Sequence, residues 1–257
     1  MKSIDLNCDL GEGFGDYVMA DDAALLEIVS SANVACGFHA GDPLTMHAAA
    51  SLAVSKDVCI GAHIGYPDRQ GFGRRHIDFE PRELELMTLY QLGALQAIVQ
   101  GAGGKLTHAN FHGALGNLSF VDYDVATTVL RAVKTFDPRL KFVALPFTEA
   151  FRAARALGID IVTSFLADRA YTRDGLLVSR KLPGAVIHDP GQIRARVRRL
   201  LCEGRIETVD GASLDMEIDS ILVHGDTSGA LEIARGIREA AIEAGYEIRP
   251  LARRFRS

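Results

Sequence analysis

The stretch Ser3-Ile-Asp-Leu-Asn-Cys-Asp-Leu10 has the alternation of a β-strand with two different faces. Its apolar side chains share one face, while Asp5, Asn7 and Asp9 share the other, because successive side chains on a strand point in opposite directions. Gly11 and Glu12 follow directly, so the run ends in a polar cluster beside a glycine. We expect the apolar face to pack against helices and Asn7 and Asp9 to point into the interior of a barrel.

Strand-like and helix-like patterns alternate along the rest of the chain. The further strand-like runs are Ala32–Cys36, Val58–Ile64, Leu106–Phe111, Lys141–Leu145, Ile159–Leu166 and Ser220–Val223, with an eighth candidate at Glu247–Leu251. The helical patterns are Asp21–Ser30, Pro43–Ser55, Pro81–Gly101, Asp122–Thr135, Thr148–Leu157, Pro190–Cys202 and Ser228–Ala244. About seven such βα units favour an α/β fold in which parallel strands form a barrel, closed or slightly distorted.

Length and composition favour one domain. The chain has 257 residues, of which 48% are hydrophobic, and this matches the usual size of a single α/β barrel. We therefore predict one barrel domain over 1–257. Residues 206–219 interrupt the alternation with a turn between two short alternating runs, and they predict an inserted β-hairpin.

Charge and cysteine usage narrow the functional class. A net charge of −5, spread along the chain, gives no electrostatic case for nucleic acid or an anionic membrane. The absence of a signal-like or long apolar segment favours a cytoplasmic protein. The four cysteines lack metal-type spacing and are interpreted as reduced thiols.

Strand phase predicts a pocket of ionisable side chains at the carboxyl ends of the strands. Each strand-like run ends in a polar cluster beside a glycine, and parallel strands bring such ends to one rim. Burying several ionisable groups together is costly unless they pair, bind a metal or do chemistry. The interior residues predicted in this way are Asn7, Asp9, His63, His108, Asn110, His112, Asp168 and His224.

Two loops that carry glycine and arginine are candidates for binding an anion. In the loop 61–75, Arg69, Arg74 or Arg75 could hold a carboxylate or phosphate with two hydrogen bonds. The loop 168–175 offers Asp168 as a base and Arg173 as a clamp. The glycine-rich stretch 101–105 lacks the spacing of a phosphate-binding loop and leads into a strand. Any nucleotide contact must therefore come from another loop or another chain.

Five long motifs resemble the LamB/YcsF family. They are DLNCDLGEGFG at 5–15, SANVACGFHAGDP at 31–43, GAHIGYPDRQGFGR at 61–74, ADRAYTRDGLLVSR at 167–180 and VHGDTSGA at 223–230. The resemblance extends over nearly the whole chain. It implies a distorted seven-stranded (β/α) barrel of the glycoside hydrolase/deacetylase type.

The resemblance also implies a hydrolase role as the A subunit of a bacterial ATP-dependent 5-oxoprolinase. That reaction opens the 5-oxo-L-proline lactam to L-glutamate with ATP hydrolysis, together with B and C subunits that would bind most of the ATP. We predict that Asp9 or Asp42 acts as the general base and that His63 or His112 acts as the general acid. Arg69 or Arg74 would bind the carboxylate or phosphate, and Asp168 is a further catalytic candidate. The predicted substrate- or phosphate-binding residues are Asn7, His39, Asp68, Arg69, Arg74, His108, Asn110, Arg169, Arg173, His224 and Asp226.

The sequence departs from the family pattern at two inward-pointing positions. The fourth strand usually reads KPHGALYN, whereas residues 110–117 read NFHGALGN; the sixth usually reads EVFADR, whereas 164–169 read SFLADR. Asn110 and Ser164 thus replace a lysine and a glutamate. If these two side chains form an ion pair in other members, replacing both leaves no buried charge without a partner, so we expect the fold to survive. We expect the substrate range or the turnover to change.

Two other functions compete with this interpretation. Asp9, His39 and His63 could hold a divalent metal, which would make the chain a metal-dependent deacetylase or amidohydrolase for a small substrate. Alternatively, the chain is a divergent, non-catalytic subunit that binds a ligand. Self-association into a homo-oligomer is compatible with each of these functions.

Overall fold

The computed structural model describes residues 2–251. Seven parallel strands form a closed barrel, in which the last strand pairs with both the sixth and the first. In chain order they are β1 (Lys2–Leu10), β2 (Ser31–Ala35), β3 (Cys59–Ile64), β4 (Leu106–Phe111), β5 (Lys141–Ala144), β6 (Ile161–Leu166) and, after a hairpin, β9 (Ser220–His224). This confirms the predicted seven-stranded parallel barrel.

Helices surround the barrel. They are α1 (Asp22–Leu26), α2 (Pro43–Ser55), α3 (Pro81–Gly101), α4 (Gly113–Val121), α5 (Tyr123–Phe136), α6 (Glu149–Leu157), α7 (Pro190–Glu203) and α8 (Ala230–Glu243). The apolar residues of β1 and those of the helices join one hydrophobic core. Within residues 2–251, none of the helices has the length and apolar character needed to cross a membrane.

Two helices differ from the sequence prediction. The helix predicted to reach Ser30 ends at Leu26, because the backbone of Ser30 already bonds to Leu6 and its hydroxyl bonds to Asp5. Helix α4 was not predicted, since its glycines weaken helix propensity. One of them, Gly116, is required by packing, because a Cβ there would lie 2.6 Å from the carbonyl oxygen of Phe111.

Two short elements lie outside the barrel ring. Strands β7 (Arg205–Glu207) and β8 (Ser213–Asp215) form an antiparallel hairpin between α7 and β9. The predicted eighth strand is the short β10 (Tyr246–Ile248), which pairs with the first residues of β1 ahead of the part that pairs with β9. The barrel therefore closes through the pairing of β9 with β1. Strand β10 pairs with the start of β1, outside this closed ring.

The lower part of the barrel interior depends on a glycine opposite a histidine. Gly61 on β3 pairs with His108 on β4, and a Cβ at position 61 would lie 2.2 Å from the His108 ring. We expect Gly61→Ala to lower the free energy of unfolding by about 1–3 kcal/mol, because the fully buried ring has no space to move into. Urea unfolding measures the change.

Gly93→Ala is the matched control, since no other atoms lie within 4 Å of a Cβ at this position in α3. It should leave stability unchanged or raise it by about 0.5–1 kcal/mol. Equal effects of the two substitutions would show that His108 does not confine position 61.

Candidate functional site

A cavity of about 540 Å³ opens at the carboxyl ends of the barrel strands. Side chains from β1, β3, β4, β6 and β9, or from the residues directly after them, line it. The polar lining residues that strand phase or the family departures had indicated are Asp9, His63, Asn110, His112, Ser164 and His224. The hydroxyl of Ser164 is buried and makes no hydrogen bond among the described residues, so it is available to a ligand.

Beneath this cavity a chain of hydrogen bonds connects β4 to β1. His108 Nε2 lies 2.9 Å from Asn33 Oδ1, and Asn33 Nδ2 donates to Asp9 Oδ1 at 2.8 Å. Asn7 contacts the same Asn33 oxygen at 3.4 Å. Burial lowers the pKa of His108 to about 3, so its imidazole is neutral and can donate only one hydrogen. Asn7 and His108 are therefore supports for Asp9 and do not line the cavity themselves.

Four buried side chains converge beside Asp9. Glu12 follows β1, His39 follows β2, His63 lies on β3 and His112 follows β4. Glu12 Oε1 lies 3.5 Å from His39 Nε2, 3.9 Å from His63 Nε2 and 3.6 Å from His112 Nδ1. Their ligand atoms all lie within 4.8 Å of one another, so this cluster could hold a divalent metal ion.

Burial dominates the electrostatics of this cluster. It lowers the pKa of His39 to about 3, and it lowers the pKa values of His63 and His112 well below the usual range, with neighbouring imidazoles adding to the effect. Burial raises the pKa of Glu12 well above the usual range, reinforced by the Asp9 carboxylate. Burial also raises the pKa of Asp9 to about 6, although His224 and Asn33 act in the opposite direction. The three imidazoles are therefore neutral at neutral pH, which is unfavourable for an acid role of His63 or His112.

A second group lies across the cavity, where β6 and β9 end. Both carboxylate oxygens of Asp168 lie 2.9 Å from His224 Nδ1, and Thr227 Oγ1 donates to Asp168 Oδ2 at 3.0 Å. On the other side of the ring, Arg180 Nη2 lies 3.2 Å from His224 Nε2. Because an arginine can only donate, Nε2 carries the lone pair and Nδ1 carries the hydrogen that Asp168 accepts.

The same contacts shift both pKa values. Burial works against charge on either group, but the Asp168 carboxylate outweighs it and raises the pKa of His224. Burial likewise opposes ionisation of Asp168, yet His224 and the hydrogen bonds from His224 and Thr227 lower the pKa of Asp168. His224 is thus an oriented base whose basicity is increased by a buried carboxylate.

The predicted anion-binding arginines are divided between the cavity and the surface. Arg74 lines the cavity and pairs with Asp226 at 2.7 Å. Arg69 stacks its guanidinium on the Phe14 ring at 4.0 Å and donates to the Gly37 carbonyl. Arg169 reaches the cavity wall, but its buried guanidinium donates to the carbonyl oxygens of Val178 and Ala185.

Three predicted site residues have structural partners instead. Asp42 caps α2, accepting from the backbone of Leu44 and Thr45, so its carboxylate is not available as the base in the cavity. Asp68 pairs with Arg75 and accepts from the Gly71 backbone within its own loop.

Arg173 is exposed and pairs with Asp210 at 2.8 Å, on the turn of the β7–β8 hairpin. It therefore anchors the loop after β6 to the hairpin instead of facing the cavity. The predicted clamp in this loop is replaced by Arg180, which lines the cavity seven positions further along the chain.

The sequence reasoning missed Glu12, Asn33 and Arg180. Glu12 was visible in the first polar cluster, but it lies after the strand, where the two-residue alternation no longer predicts direction. Asn33 lies in the middle of a short strand whose residues are all buried. The sequence of this strand therefore does not distinguish side chains that face the barrel interior from those that face the helices. Arg180 reaches the cavity through a long loop, which strand phase does not describe.

The fold and the cavity together define a (β/α) barrel protein with a polar, ligand-binding-type site at the carboxyl rim of its strands. The sequence profile of the LamB/YcsF family matches residues 4–256. This chain belongs to the LamB/YcsF family.

Named relatives agree with this membership. The chain is 51% identical over 253 residues to a 5-oxoprolinase A subunit of Ralstonia nicotianae, covering 98% of this chain and 97% of the relative. A protein of the same name from Agrobacterium fabrum is 51% identical over 249 residues, covering 97% and 98%.

Solved structures support the fold. The lactam utilization protein from Thermus thermophilus superposes with a TM-score of 0.92 at 41% identity, over 98% of this chain and 100% of that one. A GH113 beta-1,4-mannanase superposes with a TM-score of 0.51 at 10% identity, over 93% and 99%, and this likeness concerns the fold alone.

Proposed function

We propose that this chain is the A subunit of an ATP-dependent 5-oxoprolinase and carries the hydrolytic site for the lactam. The observation that carries the proposal is the Asp168–His224–Arg180 group, which presents an oriented base and a cation to the same cavity. The identity of about half the residues with relatives named as 5-oxoprolinase A subunits supports it. An ATP-consuming reaction implies the cytoplasm as its compartment.

The chemical problem explains why ATP and partners would be needed. A lactam is stabilised by resonance, its carbonyl carbon is weakly electrophilic, and its nitrogen is a poor leaving group. Transfer of the terminal phosphate of ATP to the carbonyl oxygen would activate that carbon. Because the chain lacks a recognisable phosphate-binding loop, we assign ATP binding mainly to the B and C partner subunits.

His224 would then act twice. When Arg180 turns from Nε2 to an anionic group of the substrate, Nε2 becomes free to remove a proton from the attacking water, and Asp168 stabilises the imidazolium that forms. The same proton would pass to the departing nitrogen, so that the C–N bond breaks, the nitrogen becomes the amine of the product and His224 returns to its neutral form. The carboxyl phosphate that remains would be hydrolysed by a second water, which gives L-glutamate and inorganic phosphate. This assignment replaces the acid role of His63 or His112, whose burial keeps both rings unprotonated at neutral pH.

The arginines would bind the anionic parts of the substrate. Arg74 and Arg180 both line the cavity, and burial lowers the pKa of Arg180 while leaving it a cation at neutral pH. A guanidinium offers paired donors to a carboxylate or to a phosphate oxygen. Asn110 and Ser164 add neutral polar groups on the wall between β4 and β6.

The test is reconstitution with partner proteins. The chain is co-purified with the B and C subunits from the same source, and L-glutamate and ADP are measured after addition of 5-oxo-L-proline and ATP. The proposal expects glutamate release that requires ATP and all three chains. An assembled complex that hydrolyses no 5-oxoproline would overturn it and favour the non-catalytic binding role.

The pH dependence of this reaction should follow His224. Since the base must be unprotonated, kcat/KM should rise with pH, with a midpoint above the ordinary imidazole value of 6.5. Initial rates of the complex between about pH 5.5 and 9 measure this limb. A midpoint at or below the ordinary value would contradict the role of Asp168 in raising the pKa of His224.

The Glu12–His39–His63–His112 cluster favours one alternative, a metal-dependent amidohydrolase for a small substrate. Such an enzyme would hydrolyse an amide without ATP or partner chains and would lose activity on chelation. Assays of the isolated chain with and without chelator distinguish the two proposals.

A further inference from the structure

The side chains of Glu12, His39, His63 and His112 form a close, buried cluster that hydrogen bonds within the protein do not explain. Three buried imidazoles and a buried carboxylate come from the ends of four successive strands. Two of the rings, His39 and His112, stack with their centroids 3.9 Å apart. Glycines make room for this packing, because a Cβ at Gly65 or Gly73 would lie within 2.8 Å of these rings. The backbone is therefore built around the cluster.

Four polar atoms of the cluster lack hydrogen-bond partners among the described residues. Glu12 Oε1, both ring nitrogens of His39 and His63 Nδ1 are buried and make no hydrogen bond among residues 2–251. Unpaired buried polar atoms are rare, because each costs the full loss of its hydration. Here two of them, Glu12 Oε1 and His39 Nε2, face each other at 3.5 Å within the cluster, which indicates that something outside the polypeptide satisfies them.

His112 has the orientation of a metal ligand. Its Nε2 lies 2.7 Å from the carbonyl oxygen of Phe72, so Nε2 carries the hydrogen and Nδ1 carries the lone pair. That Nδ1 faces His63 Nε2 at 2.9 Å and Glu12 Oε1 at 3.6 Å. A backbone carbonyl that fixes the tautomer of the remote nitrogen is the usual support of a metal-bound histidine.

We propose that Glu12, His39, His63 and His112 together bind one divalent transition-metal ion of the Zn²⁺ class. Neutral imidazoles suit Zn²⁺, Ni²⁺ and their neighbours in the first transition row, whereas Mg²⁺ and Ca²⁺ prefer oxygen ligands throughout. Ligand atoms around a tetrahedral Zn²⁺ lie about 3.3 Å apart, given bonds of about 2.0 Å. Four of the pairwise separations are 2.9 to 3.9 Å and all the ligand atoms lie within 4.8 Å of one another, so small side-chain movements would bring them to that value.

The donor set differs from the one that the sequence indicated. His39 and His63 are retained, while Asp9 is replaced by Glu12 and His112 is added. Asp9 Oδ1 accepts from Asn33, and Asp9 Oδ2 lies 3.5 Å from His63 Nε2, so Asp9 stands beside the cluster. The proposal does not depend on the lactam reaction, since occupancy is measured without turnover.

Direct metal binding tests the proposal. The full chain is stripped with a chelator and dialysed, its fold is checked by circular dichroism, and Zn²⁺, Co²⁺ and Mg²⁺ are added separately. We expect one Zn²⁺ per chain by elemental analysis, visible absorption bands from bound Co²⁺, and a rise in the unfolding temperature of more than about 3 °C with Zn²⁺ and none with Mg²⁺.

Two conservative variants locate the site. Glu12→Gln keeps the volume of the side chain and His39→Gln keeps a polar group, and each should weaken Zn²⁺ binding at least about tenfold in calorimetry. His76→Asn is the matched control, because His76 and Asp78 form an exposed histidine–carboxylate pair away from the cluster. This control should bind as the wild type does.

Three outcomes would overturn the proposal. They are a folded wild-type chain that binds no stoichiometric Zn²⁺ or Co²⁺, equal thermal stabilisation by Mg²⁺ and Zn²⁺, and unchanged affinity in both cluster variants. The first would leave the four side chains as a buried cluster of three neutral histidines and Glu12.

Discussion

Replacing Asp168 with asparagine is expected to lower kcat for lactam opening by about 10²–10⁴-fold, the usual contribution of an oriented acid–base group. Asp168 is fully buried and both of its oxygens accept the Nδ1 hydrogen of His224. An asparagine can present its NH₂ group to Nδ1, which would move the hydrogen to Nε2 and remove the lone pair from the cavity. The substitution changes little volume, so the variant should fold.

The readouts separate a catalytic effect from a structural one. In Asp168→Asn the acidic limb of kcat/KM should move to lower pH, and ¹⁵N NMR of His224 should show the opposite tautomer. Asp210→Asn is the matched control, since it removes a carboxylate from a surface pair with Arg173 and should leave turnover unchanged. A kcat within twofold of wild type in Asp168→Asn would rule out His224 as the base.

The barrel was predictable because its signal is repeated. The polar residues of β1 recur at every second position, and the same phase brings Asp9, His63 and His224 to one cavity although they are far apart in sequence. Parallel pairing of β1 with both β2 and β9 then follows from the alternation of strands and helices. The direction of a side chain can be predicted from its position along a strand without any knowledge of individual contacts.

The details of the site were less predictable because they lie beyond the strands. Asp42, Arg69 and Arg173 carry the residue types of a site, yet a helix cap, an aromatic stack and a surface ion pair use them. Glu12 and Arg180 contribute to the site through loops whose path is decided by tertiary packing. Sequence alone poorly distinguishes a structural role from a catalytic one. Asp42, which precedes Pro-Leu-Thr, is as typical of the start of a helix as of a catalytic base.

Replacing Asn33 with aspartate is the substitution for which we expect the largest loss of stability, about 3–5 kcal/mol in the free energy of unfolding at neutral pH. Asn33 is fully buried, accepts from His108 and donates to Asp9. An aspartate would keep the shape but place a second carboxylate at the 2.8 Å separation of the present hydrogen bond to Asp9. Neither carboxylate could then donate, and one buried charge would have no compensation.

The sign of the pH dependence distinguishes this cause from a packing defect. Burial beside Asp9 raises the pKa of the new carboxyl above its unfolded value, so the unfolded state loses its proton first as pH rises. The deficit of Asn33→Asp relative to wild type should therefore be smaller at pH 5 than at pH 8, because protonation of one carboxyl restores a donor between them. Urea unfolding at both pH values measures it, with the exposed Asn117→Asp as control, which should change stability by less than about 0.5 kcal/mol. An equal loss of stability at the two pH values would indicate a packing defect as the cause. It would also show that the hydrogen bonds from His108 through Asn33 are not what supports Asp9.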